Sequence, residues 1–262
     1  MMKPIFILVP GAWHQADHFK TFSEHLEKAG YASEAVKLGC MNSSPPTESF
    51  QPDVDACKAV LISHLSRGND VILCMHSYGG FVGTETSGLI VADAEKYPGK
   101  IRRLVYMTAY VPIEGQTVSQ MVGEVPAPLA DLSHVVIDLE NRIYGLHADL
   151  AEEVFYHDVP QPERSRCASL LGVHPMSSFE SPTTVAGWRK IPSTFIYAKN
   201  DRILLLHHQE NMVKKAEEVV DEGAIIPFDG PLGKFYVESG HTPFAAKTEE
   251  VVDILKRLAS ES

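Results

Sequence analysis

The apolar run Ile5-Phe6-Ile7-Leu8-Val9 stops at Pro10-Gly11, and similar runs recur at Val71 to Met75, Leu104 to Ala109 and Thr194 to Ala198. Continuous rather than alternating apolar character predicts strands covered on both faces. Between these runs the period changes to helical. Asp17 opens a helix with Phe19, Phe22, Leu26 and Ala29 on one stripe and Gly30 at its end, after which Tyr31 to Leu38 returns as a strand. Asn42 to Thr47 is a loop on turn chemistry. A second helix is predicted from about Asp53 to Leu65, with Val54, Cys57, Leu61 and Leu65 inward and Gly68 closing it. A third runs behind Ser77 from Thr84 to Glu95. Ala224-Ile225-Ile226-Pro227-Phe228 supplies a last short strand before the closing helix, Glu249 to Leu258. Strands alternating with helices in this way predict an α/β fold, a mostly parallel sheet with helices on both faces.

One interval breaks the rhythm. Residues 112–187 exceed an ordinary crossover and mix scattered helical periodicity, as at Leu150, Val154 and Phe155, with Pro126, Pro128, Pro160, Pro162, Pro175 and Pro182. The expectation is a helical lid inserted over the strand ends, where open α/β sheets place their ligands. The core would then be residues 1–111 and 188–262, with 112–187 as the lid.

Composition narrows the partners. The formal net charge of −11 repels phosphate backbones and anionic membranes, so neither nucleic acid nor a lipid surface is expected. The first apolar run is too short for a membrane span and reads as a buried strand with no export signal before it. Cys40, Cys57, Cys74 and Cys167 show neither metal-ligand spacing nor disulfide density, which suits a reducing, cytoplasmic setting. No cofactor or metal is called for.

The candidate chemistry sits at the strand ends. Met75-His76-Ser77-Tyr78-Gly79-Gly80 follows one apolar run and opens a small-residue helix, the context that lifts a serine hydroxyl above a sheet as a nucleophile. Asp201 ends the run Phe195 to Ala198 through Lys199-Asn200, and His241 lies in the loop before the closing helix. A serine hydroxyl needs an imidazole to accept its proton and a carboxylate to hold that imidazole in the useful tautomer. Taken singly, such a serine or aspartate is as readily a turn former or a helix cap. The backbone N–H groups of Ala12 and Tyr78 are the candidate oxyanion donors. Trp13 is core or pocket wall, His14 a hydrogen bonder that fixes the loop, and His76 packs within the elbow. His207 and His208 open a helix and read as solvated. Glu238 and, more weakly, Asp229 are reserve acids.

These motifs resemble the α/β-hydrolase superfamily over nearly the whole chain, and more narrowly its branch of plant methyl esterases, hydroxynitrile lyases and microbial relatives. Pro10-Gly11-Ala12-Trp13-His14 is similar to that branch's oxyanion loop, and Cys74 to Gly80 to its Gly-His-Ser-x-Gly-Gly elbow. Ala109-Tyr110-Val111-Pro112, Trp188 to Thr194 leading to Asp201, and Gly240-His241 are similar too. The resemblance implies the α/β-hydrolase fold and the chain order Ser77, Asp201, His241. Four positions depart from it. Met75 replaces the elbow's first glycine and must find room by bending away or filling a gap; Pro10 replaces a loop histidine. The lyases carry a threonine and a lysine where this chain has Gly11 and Thr242, so cyanohydrin cleavage is not expected.

The leading expectation is a serine esterase or lactonase, methyl esterase-like, acting through an acyl-enzyme on a small aromatic or polyketide-like ester or lactone. Trp13, Tyr110, Tyr144, Phe155, Tyr156 and Phe179 are its candidate substrate-binding residues, with His147, His157 and His174 also available in the lid. The alternatives are a cofactor-free carbon–carbon lyase or rearrangement enzyme on the same scaffold, and a non-catalytic ligand-binding protein. The chain is expected as a monomer or a homodimer.

Overall fold

Each long strand sends alternate side chains into two separate cores. In the computed structural model, which describes residues 3–123, 133–220 and 227–261, Phe6, Leu8, Ile72, Cys74, Val105, Met107, Ile196 and Ala198 face one core. Ile7, Val9, Val71, Leu73, Met75, Leu104, Tyr106, Phe195 and Tyr197 face the other. This two-sided burial is why the strands read as unbroken apolar runs. Strands β1 (Ile5–Val9), β2 (Ser33–Ala35), β3 (Val71–His76) and β4 (Ile101–Met107) pair in parallel with two later strands, β8 and β9 (Ser193–Ala198 and Lys234–Val237). The order across this six-stranded sheet is β2-β1-β3-β4-β8-β9.

Helix α1 (Lys20–Lys28), entered through a 3-10 turn at Ala16–Phe19, covers one face with the last helix, α10 (Thr248–Glu261). On the other face lie α2 (Gln51–Leu65) and α3 (Gly79–Val91), which starts directly behind Ser77 and ends four residues before Glu95. Beyond the insertion come α8 (Leu206–Glu218) and the short α9 (Pro243–Ala246). The first return strand is shorter than expected. Among the described residues no helix is long and apolar enough to cross a membrane, and all four cysteines are buried free thiols.

Two expectations are corrected. The sixth strand is Lys234–Val237, whereas Pro227 and Phe228 form a turn, with Phe228 at φ 62; Ala224 to Ile226 lie outside the described residues. The insertion is also not helical alone. It holds α4 (Val118–Gly123), α5 (Ala148–Tyr156), α6 (Glu163–Ser169) and α7 (Met176–Glu180). Between them runs an antiparallel sheet of β5 (Val135–Asp138), β6 (Ile143–Leu146) and β7 (His174–Pro175). Val135, Val136, Ile137, Ile143 and Tyr144 are strand formers, and the Asp138 carboxylate takes the Asn141 N–H at 3.0 Å to close the hairpin. Pro126 and Pro128 lie outside the described residues. Entrance and exit of the insertion are stitched side by side: Trp188 Nε1 donates to Pro112 O at 2.9 Å, and Gly115 N–H to Thr183 O at 2.8 Å.

Met75 finds its room in α3. A Cβ on Gly83 would lie 2.2 Å from Met75 Sδ, so the helix glycine leaves the space the strand methionine fills. Gly83→Ala is therefore expected to destabilise the fold by about 1–3 kcal/mol through overpacking, despite alanine's better helix propensity. Adding Met75→Ala should recover most of that loss; urea melts of the single and double variants check both statements.

Candidate active site

The turn after β3 holds Ser77 at φ 52, a left-handed conformation that costs a side-chain-bearing residue about 1–3 kcal/mol. What holds it there is close packing of backbone on backbone. A Cβ on Gly79 would lie 2.6 Å from Val9 O, and one on Gly80 2.0 Å from Tyr110 O, so only glycine lets the start of α3 slip between the ends of β1 and β4. The Ser77 carbonyl accepts from Gly80 N–H at 3.0 Å and Tyr110 N–H at 3.1 Å. Ser77 is 8 % exposed and lines a cavity.

Asp201 and His241, placed by the loops after β8 and β9, meet with His241 Nδ1 and Asp201 Oδ2 2.8 Å apart. Asp201 Oδ1 accepts the N–H groups of Ile203 and Leu204 at 2.8 and 2.9 Å, which leaves the other oxygen to the ring. The His241 carbonyl accepts from Thr108 Oγ1 at 2.9 Å and His76 Nε2 at 2.8 Å. His76 immediately precedes Ser77, so the elbow itself grips the histidine loop, and the two rings lie 4.8 Å apart. Nε2 of His241, the nitrogen remote from Asp201, is buried with no hydrogen-bond partner among the described residues. Glu238, the first reserve acid, is exposed and pairs with Lys199 at 2.7 Å; Asp229 is exposed as well.

Both candidate oxyanion N–H groups belong to peptides whose carbonyls are pinned. His14 N–H donates to Gly11 O at 3.2 Å, and the Ser77 carbonyl is doubly held as above. In a planar trans peptide the N–H points opposite to the carbonyl, so the Ala12 and Tyr78 N–H groups are turned away from those bonds. Ala12, Ser77 and Tyr78 all line the cavity. The loops approach closely here too, because a Cβ on Gly11 would lie 2.9 Å from Ser77 Cβ. Trp13 (φ 63) and Thr108 (φ 44) are strained beside Ser77, so left-handed residues gather at this one place.

The cavity measures about 340 Å³. Trp13, Tyr110, Tyr144, Phe155 and Phe179 form its aromatic walls, with Val118, Val122, Val135, Ile137, Ile203 and Leu204 between them. Its other described polar linings are Ser119 and His134, and no Lys, Arg, Asp or Glu is among them. Trp13 is thus both buried and a wall, its Nε1 donating to Tyr144 O at 2.9 Å. Tyr156 is not brought to the cavity; it is wholly buried with its O–H 2.9 Å from His14 Nε2. His147 is exposed, and His174 is buried 3.7 Å from Asp53.

Several supporting residues are invisible to motif reading. Asp53, in the first turn of α2, reads as a helix-start carboxylate, yet it is fully buried and accepts Tyr78 O–H at 2.8 Å and Cys40 N–H at 2.7 Å. Thr108 reads as part of a strand. The only signal for either is an isolated polar residue beside apolar neighbours.

His18, His14, His76 and His241 form a buried column with successive ring centroids 4.6, 5.1 and 4.8 Å apart. His14 donates from Nδ1 to Ala12 O at 2.7 Å and so accepts Tyr156 O–H at Nε2. Burial, with neighbouring imidazoles adding to it, pushes His14 and His76 well below the ordinary histidine value. Burial likewise lowers His18 to about 4. These rings are neutral when folded and bind protons more readily when unfolded. Stability should therefore be fully present above about pH 6.5 and lost as pH falls through about 4. His18→Gln is expected to remove roughly 3 kcal/mol of that acid-induced loss, read as a shallower fall of urea-unfolding free energy across the window.

A model of the alpha/beta hydrolase family matches residues 6–254. Alpha/beta hydrolase nvfD of Aspergillus novofumigatus is 29% identical over 264 residues, covering 100% of this chain and 99% of that protein. Methylesterase 2 of Arabidopsis thaliana is 25% identical over 80% of this chain and 83% of its own. Among solved structures, a pyrethroid hydrolase from Sphingobium faniae superposes with a TM-score of 0.75 at 20% identity, covering 98% of each chain.

Proposed function

The chain belongs to the alpha/beta hydrolase family, and from that premise we propose that it hydrolyses an uncharged carboxylic ester or lactone through an acyl-enzyme on Ser77. The observation that carries this reading is the 2.8 Å pair of His241 and Asp201, with the remote ring nitrogen buried and unpartnered beside the strained serine turn. Asp201 holds Nδ1 protonated, so Nε2 is the basic nitrogen. Ser77 Oγ attacks the ester carbonyl as its proton passes to Nε2, and the oxyanion is received by the Ala12 and Tyr78 N–H groups. The imidazolium then returns that proton to the departing alkoxide. Water, deprotonated by the same nitrogen, attacks the acyl-enzyme and releases the acid and Ser77 O–H.

The cavity supports the substrate class. Aromatic and aliphatic walls without a described charged side chain favour flat, neutral groups, and the carboxylate produced meets no countercharge among the described residues to retain it. Residues 112–187 act as the lid, supplying Tyr144, Phe155 and Phe179 to those walls. Names of the relatives point the same way, since one is a methylesterase. Thr242 donates to Phe155 O at 2.9 Å, so the position after His241 is occupied by a structural bond rather than by a cation for a leaving cyanide.

A fluorophosphonate probe is expected to form a single adduct, located at Ser77 by mass spectrometry, and Ser77→Ala should abolish both labelling and turnover of aryl acetates and methyl esters. Within a matched ester series, a carboxylate or ammonium on either side should lower kcat/KM by about 100-fold against the neutral parent. An unlabelled Ser77 in a folded sample would overturn the nucleophile and move the reaction to carbon–carbon chemistry or to ligand binding.

A further inference from the structure

The last turn of α5 and the two residues after it touch the loops that carry Ala12, Asp201 and His241. Tyr156 O–H lies 2.9 Å from His14 Nε2, and His14 in turn donates from its ring to Ala12 O and from its backbone to Gly11 O. Asp158 Oδ2 accepts Gly240 N–H at 2.6 Å, immediately before His241. Phe155 O accepts Thr242 Oγ1 at 2.9 Å, immediately after it. Glu153, one turn back on α5, pairs with Arg202 beside Asp201. The approach is close: a Cβ on Gly240 would lie 2.5 Å from His157 Cε1 and 2.7 Å from Asp158 Oδ1.

We propose that Tyr156 and Asp158 are positioning residues of the reaction: Tyr156 fixes the oxyanion loop through His14, and Asp158 fixes the base through the peptide of Gly240. The proposal rests on the serine-hydrolase reading above. Its chemistry follows from tautomers. Because Ala12 O can only accept, it fixes the proton of the neutral His14 ring on Nδ1, and Tyr156 O–H, donating to the opposite nitrogen Nε2, holds the orientation of that ring. Removing the phenol hydrogen bond frees His14 to turn, and with it the peptides on both sides of Ala12. Tyr156 is fully buried and does not line the cavity, so it acts on the oxyanion loop without touching substrate. Asp158 works in parallel on the second loop. One four-residue stretch of the insertion thereby ties the base and the oxyanion donors to a single support.

The test is a double-mutant cycle on the full chain, with aryl acetate turnover and the rate of fluorophosphonate labelling as readouts. Tyr156→Phe is expected to lower kcat and the labelling rate by about tenfold while KM stays within about twofold, because the defect lies in the transition state. His14→Asn keeps a donor for Ala12 O and no longer needs the phenol. In that background Tyr156→Phe should change kcat by less than about twofold, a coupling that a merely structural role would not produce. Asp158→Ala should likewise lower kcat with KM unchanged, and Asp158→Asn, which retains an acceptor oxygen, should restore much of it. Equal losses from Tyr156→Phe with and without His14, or a loss confined to KM, would overturn the role of Tyr156. Unchanged kcat in Asp158→Ala would overturn that of Asp158. If Ser77→Ala still turns over ester, the underlying reading of Ser77 as the nucleophile has failed instead.

Discussion

The backbone contact between the start of α3 and the ends of β1 and β4 is the constraint on which the site depends. Ser77 can hold its left-handed turn because Gly79 and Gly80 let carbonyls of Val9 and Tyr110 come within distances that any Cβ would forbid. The same contact frees the serine hydroxyl to face the cavity and pins the Ser77 carbonyl, so the N–H of Tyr78 has one direction left. His76 at the end of the strand is thereby delivered to the His241 carbonyl. Geometry that would be strained in isolation is over-determined by its neighbours, which is how such turns persist.

Around this contact the polar groups are arranged by satisfaction rather than by charge. Asp201 has three close donors, His241 O has two, and the Asp53 carboxylate deep under Tyr78 has two more. Each removes a conformational choice from a group near the candidate site. The histidine column contributes in a different way. Kept neutral by burial, His14, His18 and His76 pack as an aromatic core beneath the site and place no fixed positive charge beside His241.

Ser77, Asp201 and His241 stand out in the sequence as candidates because each has nucleophile, acid or base chemistry at a punctuated place, just past an apolar run or just before a terminal helix. The parallel sheet was legible because its central strands are buried on both faces. The edge strand Lys234–Val237 is hidden because it is only four residues long and lies between the turn residues Gly230 to Gly233 and Glu238 to Gly240, with Lys234 and Tyr236 exposed and only Val237 fully buried. The hairpin of β5 and β6 was hidden by strands only four residues long amid helical fragments. Asp53, Thr108, Tyr156 and Asp158 escaped for a further reason: their partners lie 25, 133, 142 and 82 residues away, a relation that no local pattern carries. The aromatic character of Tyr156 suggests a cavity wall, while its depth depends on a histidine at the other end of the chain.

The methionine in β3 and the glycine beneath it in α3 have a consequence for the chain's history. The related elbows have a glycine where this chain has Met75, and Met75 fits only where the helix has no Cβ. The two positions therefore form one inheritable unit with a preferred order of change. Opening the gap in the helix first leaves a void that a domain of ordinary stability tolerates, whereas introducing the methionine first crowds strand against helix under the Ser77 turn. Recombination that joins Met75 to a larger residue at position 83 would crowd the turn, a weakness that neither parent would show.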